Sequence, residues 1–305
     1  MARTRYASDR GLTSRMLVTM FLLGLVYVVF VTAFFVIVPK WGVVALVGAG
    51  LFLLAQYFFS DKLTLFAMHG RVVTPDEAPE LHGVIDRICA MADSPKPRVA
   101  IADSDVPNAF ATGRNQKKAV VCVTTGLMRR LDPVELEGVL AHEMAHVAHR
   151  DVAVMTIASF LGVCAGLITR FGLEWGLWGG FNRRSNDQNT GMILLAVVAV
   201  SAVAYAVSFM LTRALSRYRE LSADRAAALL TGRPSSLASA LTKVSGEIAR
   251  IPSKDLRAAE PFNAFFFAPA FTKGFSVSSL FSTHPPLDKR LAQLSKISDQ
   301  LSRGA

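Results

Sequence analysis

Cysteine is scarce in this chain of 305 residues. Cys89, Cys122 and Cys164 are odd in number, widely spaced and form no C-x-x-C pair. That argues against a disulfide framework and suits small apolar fillers in a reducing compartment. Internal repeats are missing. No glycine-rich phosphate loop or strand lysine accompanies His149-Arg150-Asp151, so this kinase-like triplet is a stray match. The net charge of +10 comes with no nucleic-acid recognition motif, and the basic residues gather beside long apolar runs. That placement is the membrane pattern of positive charge, and no nucleic-acid partner is expected. The apolar runs hold no Asp, Glu or Lys at their centres, which speaks against a transporter's ion path.

Long hydrocarbon runs are what the chain has in abundance, and 52% of its residues are hydrophobic. Leu17 to Pro39 and Val43 to Phe59 are nearly uninterrupted, each about long enough for the ~30 Å apolar slab of a bilayer. Val152 to Thr169 and Met192 to Leu211 carry more Ala, Gly and Ser, as helices packed on other helices do. About four transmembrane helices are predicted. The first run is too long for a signal-peptide core, and no small-x-small cleavage site follows it, so it is expected to remain as an anchor. Arg3, Arg5, Arg10 and Arg15 precede the first run, and only Lys40 precedes the second. That asymmetry predicts a cytoplasmic N-terminus. Arg213, Arg217 and Arg219 fit the same side, whereas Arg170, Arg183 and Arg184 run against it and suggest a shallow or tilted second hairpin.

Four pieces follow. Residues 1–61 form a membrane anchor, 62–151 the first part of a cytosolic catalytic domain, 152–212 a second membrane pair and 213–305 the second part of that domain. The expected fold class is α+β and mostly helical: a multi-pass membrane protein whose cytosolic domain contains a small sheet. Thr74-Pro75-Asp76-Glu77 is read as opening a helix to Ala92. Pro97 to Ala102, Pro107 to Thr112 and Lys117 to Thr124 read as extended, the last rich in valine. Six phenylalanines between Asn263 and Phe281 mark a buried loop, a membrane-dipping loop or an apolar substrate groove.

The chemistry lies in His142-Glu143-Met144-Ala145-His146, an H-E-x-x-H pattern. Asp132-Pro133-Val134-Glu135 ahead of it has a helix start's cap, N1 proline and capping-box glutamate. In a helix the two imidazoles lie one turn apart on one face, able to share one Zn2+. Glu143 flanks the cation and can hold a metal-bound water, the equipment of a zinc-dependent peptide hydrolase. A catalytic zinc wants a third protein ligand. His149 lies two turns from His142, roughly 10 Å along the axis, too far on a straight helix. Glu220 is the better candidate. Asp224, one turn later, would take a hydrogen bond from a ligand histidine.

These motifs together resemble the HtpX membrane zinc metalloproteases, relatives of the CAAX prenyl-protein endopeptidases. Supporting matches are Ser216-Arg217-x-x-Glu220-x-x-Ala223-Asp224, Asn108-Ala109-Phe110-Ala111-x-Gly113 and Thr283-His284-Pro285-Pro286. The resemblance spans nearly the whole chain. It implies a gluzincin-like (zincin-type) endopeptidase in a bacterial inner membrane with its site facing the cytoplasm, acting on damaged or misassembled membrane proteins. By that likeness His142, His146 and Glu220 hold one zinc, Glu143 is the base and Asp224 the supporting carboxylate. His284 is a possible oxyanion donor, and Asn108, Ala109, Phe110 and Ala111 a possible edge for a substrate strand. Polypeptides and the lipid bilayer are the expected partners. Two rivals differ in kind. A non-proteolytic scaffold with a structural metal would need a fourth ligand from His149 or His284. A prenyl-protein endopeptidase would need more spans to enclose a chamber.

Overall fold

The computed structural model describes residues 10–37, 42–113, 115–175, 188–250 and 284–303. The phenylalanine-rich stretch, the N-terminal arginines before residue 10, Lys40, Arg183, Arg184 and Thr283 lie outside them. The described chain is mostly helical with one small mixed sheet. It divides into two units: residues 1–14, 58–153 and 216–305 form the first, and 15–57 and 154–215 the second.

The second unit consists of apolar helical segments. They belong to α1 (Arg10–Ile37), α2 (Gly42–Ala67), α6 (Asp151–Trp175) and α7 (Gln188–Thr231). Among the described residues, two stretches, Thr13–Phe34 and Leu195–Thr231, are long and apolar enough to cross a membrane. Many of their large side chains point outward, Phe21 at 72% exposed and Val203 at 65%, while Leu23, Phe30 and Leu215 are buried. Water would penalise such a surface, and lipid would not. Where helices meet within this unit, small residues allow close approach. A Cβ on Gly166 would sit 3.1 Å from the Tyr205 ring, and one on Gly162 3.5 Å from Ser208. Thr212 Oγ1 donates to the Ala158 carbonyl across the same pair.

In the first unit the strands are β1 (Gly70–Val72), β2 (Arg98–Ala102), β3 (Ala109–Thr112) and β4 (Val120–Thr124), in spatial order β1-β2-β4-β3. β2 and β4 run parallel, and both edges are antiparallel. β1 is short and exposed, with no sequence signal of its own. β3 pairs Ala109 with Val123 and Ala111 with Val121. Thr124 N donates to the Asn108 carbonyl, so Asn108, Phe110 and Thr112 turn their polar backbone groups toward β4. Those of Ala109 and Ala111 point away from the sheet.

Helix α3 (Pro79–Ala92) begins later than Thr74. Glu77 Oε2 accepts from Thr74 N, closing a local turn. Pro79 lacks an N–H and pushes Ala78 out of the helical region, so the helix restarts there. After α4 (Thr125–Arg130) comes α5 (Pro133–Ala148), which carries the H-E-x-x-H residues. Asp132 and Glu135 form a reciprocal capping box at its start. Glu135 also receives Ser239 Oγ and Lys243 Nζ from α8 (Pro234–Arg250), tying the motif helix to its neighbour. Val139, Leu140, Met144 and Ala145 are all buried in a core shared with α3, β4 and α8. Each large one contributes about 1.5–3 kcal/mol. The last helix, α9 (Leu287–Arg303), packs Leu294 and Ile297 into the same core.

Among the described glycines, Gly126 marks the tightest backbone approach. A Cβ there would meet the Asp105 carbonyl oxygen at 2.3 Å, and Gly126 N donates to the Ser104 carbonyl at 2.8 Å. Gly126→Ala is expected to destabilise the protein by about 1–3 kcal/mol. A thermal melt of the variant checks this, and an unchanged midpoint would refute it.

Candidate metal centre

Helix α5 presents His142 and His146 one turn apart, their ring centroids 4.7 Å apart and nearly perpendicular. Helix α7 brings Glu220 to them. His142 Nε2 lies 3.1 Å from His146 Nε2. Glu220 Oε2 is 3.6 Å from His142 Nε2, and Oε1 is 3.3 Å from His146 Nε2. A tetrahedral zinc with bonds of about 2.0–2.1 Å sets its ligand atoms about 3.3–3.4 Å apart. The three donors therefore fit such an ion.

The other ring nitrogens face carboxylates. His142 Nδ1 is 2.9 Å from Asp224 Oδ1, and His146 Nδ1 is 2.5 Å from Asp151 Oδ2. In the neutral rings a facing carboxylate favours the proton on Nδ1 and leaves the Nε2 lone pair for the common point. Behind the aspartates stand arginines. Arg290 of α9 grips Asp224 through two nitrogens at 2.6 and 2.7 Å. Arg219 lies 2.7 Å from Asp151. His284 Nδ1 is 2.9 Å from Glu220 Oε2.

Among the described residues, this volume holds Glu143, Asp151, Glu220 and Asp224 against Arg219 and Arg290, all at least nine-tenths buried. With neutral imidazoles two negative charges are left over. A divalent cation balances them. Charge and spacing thus agree on the same guest.

Glu143 lies beside the cluster, and its Oε2 accepts from Ala111 N of β3 at 3.0 Å. Burial pushes its carboxyl above the ordinary range, and the facing imidazoles offset part of that rise. The edge strand and the acidic residue of the motif are thereby joined.

The structure brings together His142, His146, Glu220, Glu143, Asp224, His284 and the Asn108–Ala111 strand. His149 stands apart as the C-cap of α5. Sequence reasoning missed Asp151, Arg219 and Arg290. In the sequence Asp151 merely precedes an apolar run, and Arg219 is one of three basic residues that follow another. The chain turns at Arg150, whose φ is +57°, and this sends Asp151 back against His146. Glycine usually occupies that region, so arginine gave no warning of a helix break. Arg290 had only its spacing from the Thr-His-Pro-Pro turn to announce it.

The family model described as peptidase family M48 matches residues 75–298. The chain belongs to peptidase family M48. It is 62% identical over 299 residues to "Protease HtpX homolog 1" of Streptomyces coelicolor, covering 98% of this chain and 97% of that protein. It is 53% identical over 300 residues to "Protease HtpX homolog 2" of Methanosarcina mazei, covering 98% and 100%. The fold is similar to the crystal structure of S. mikatae Ste24p, with a TM-score of 0.52 at 18% identity, over 94% of this chain and 66% of that one. About a third of Ste24p therefore has no counterpart here. As a member of this family the chain is a metalloendopeptidase, and His142, His146 and Glu220 form its candidate zinc site.

Burial alone would lower the His146 pKa, but its hydrogen bonds to Asp151 and Glu220 outweigh this and raise it to about 10 in the metal-free protein. The charged ring stabilises that form fully below pH 6.5, and the contribution is lost as pH rises through about 10. A metal needs the neutral ring, so zinc binding expels its proton. Zinc affinity is expected to rise with pH until about 10, by at most roughly tenfold per unit for this proton, and to level off above it. Calorimetry in buffers of differing ionisation enthalpy counts the proton, and binding without release would contradict the assignment.

Proposed function

We propose that this protein is a membrane-embedded, zinc-dependent endopeptidase that hydrolyses peptide bonds of damaged or misassembled membrane proteins. The observation that carries the reading is Glu143. Its carboxylate adjoins the His142, His146 and Glu220 cluster while hydrogen-bonded to the outward N–H of an edge strand. A base, a metal site and a peptide-binding edge meet at one place.

In this reading His142, His146 and Glu220 hold one zinc, which when bound supplies Lewis acidity and makes water a nucleophile near neutral pH. Glu143 takes the proton from that water and delivers it to the leaving nitrogen. Burial suits it to both steps, because a carboxyl raised toward neutrality accepts and returns a proton more evenly. Asp224 fixes the tautomer of His142. Ala109 and Ala111 offer outward backbone groups to an extended substrate, which would dock by strand addition, with Asn108 and Phe110 holding the edge to β4. His284 braces Glu220 through Nδ1. A ring so engaged donates to a developing oxyanion from Nε2 only when doubly protonated.

The site faces the cytoplasm in this reading. Four membrane segments belong to it, with the first and last pairs of residues 1–61 and 152–212 as hairpins in the cytoplasmic (inner) membrane. The exposed apolar faces of α1 and α7 support bilayer residence, and the resemblance to HtpX proteases supports membrane-protein substrates.

Two variants test the roles. Glu143→Gln is expected to retain zinc and to lose casein cleavage by about 100-fold or more. Retained turnover would remove the base assignment. Glu220→Ala is expected to lose zinc on dialysis, read by metal analysis. Full metal content would point to another ligand.

A further inference from the structure

We infer that Arg219 is a positioning residue of the metal centre: through Asp151 it fixes the ring of His146, so that one stretch of α7 governs all three metal-facing side chains. This rests on the zinc-site reading above. Glu220 is itself a member of the cluster, and Asp224 backs His142. Arg219, the residue before Glu220, reaches the third member indirectly.

Asp151 needs such a restraint. It is the first residue of α6, and a carboxylate at a helix start has ready partners in the unbonded N–H groups of its own first turn. A swing to those donors would leave His146 Nδ1 without its acceptor. Oδ2 of Asp151 faces both His146 Nδ1, at 2.5 Å, and Arg219 Nη2, at 2.7 Å. Oδ1 has no hydrogen-bond partner among the described residues. The carboxylate is thus held through one oxygen, and Arg219 is its charged anchor. The arginine is no solvated surface cation either: its side chain is 9% exposed. Arg219 also supplies the counter-charge that Asp151 requires once His146 is a neutral ligand. With Nδ1–H fixed, the ring offers Nε2 toward the cluster and cannot rotate away.

The test uses the full chain in detergent. Zinc affinity is measured by competition with a chromogenic chelator, and the geometry by the visible absorption of the cobalt-substituted protein. Arg219→Gln is expected to weaken zinc binding about 10–100-fold and to shift the cobalt bands. Arg219→Lys, which keeps the charge, is expected to recover most of the affinity. Lys96→Gln, at a pair with Asp86 on α3 away from the cluster, should match wild type in both measurements. An unchanged affinity and cobalt spectrum in Arg219→Gln, with zinc lost from Glu220→Ala, overturns this inference and leaves the zinc site standing. Equal zinc content in wild type and Glu220→Ala overturns the site reading and the inference together. Should Arg219→Gln fail to fold, Asp151→Asn carries the same expected weakening, and wild-type affinity in that variant overturns the inference.

Discussion

Four carboxylates and two guanidiniums share one buried volume with three imidazoles, and the surplus of negative charge there constrains the surrounding structure. Breaking a single buried ion pair costs a fold about 3–5 kcal/mol. Total stabilities run to about 5–15 kcal/mol. The Arg290–Asp224 fork is therefore a fold determinant as well as a support for His142. A dication completes the balance, and without it protons on the imidazoles take its place.

The scaffold is organised to hold that charge in position. The capping box at Asp132 and Glu135 fixes where α5 begins, and the tie from Glu135 to Ser239 and Lys243 fixes its neighbour. Val139, Leu140 and Met144 then lock the rotation of α5, which aims His142 and His146. β3 comes to the same helix through Ala111 and Glu143. Rigid packing on one side of α5 and polar fastening on the other leave the two histidine rings little freedom.

How much of this was legible depended on whether a residue's role was local. The H-E-x-x-H spacing, the cap at Asp132 and the valine-rich β4 follow from periodicities of a few residues, and they read directly. Glu220 and Asp224 could be chosen because a helix puts them on one face. Asp151 could not: its meeting with His146 depends on a left-handed Arg150, and nothing in the residue type announces that turn. Arg219 and Arg290 resembled ordinary basic residues, because a charge's burial is decided by distant packing. The late start of α3 was hidden by a turn at Thr74–Glu77 that imitates a helix cap, and β1 is too short to show a pattern.

The cluster is assembled from parts far apart along the chain. His142 and His146 precede the apolar segments of α6 and α7, Glu220 follows them, and His284 and Arg290 come near the C-terminal end. During synthesis a ribosome therefore releases the histidine pair long before its acidic partner, and His284 and Arg290 later still. A nascent polypeptide halted anywhere before Glu220 holds only two of the three members of the candidate cluster, so that cluster closes only after the apolar segments of α6 and α7 have been made.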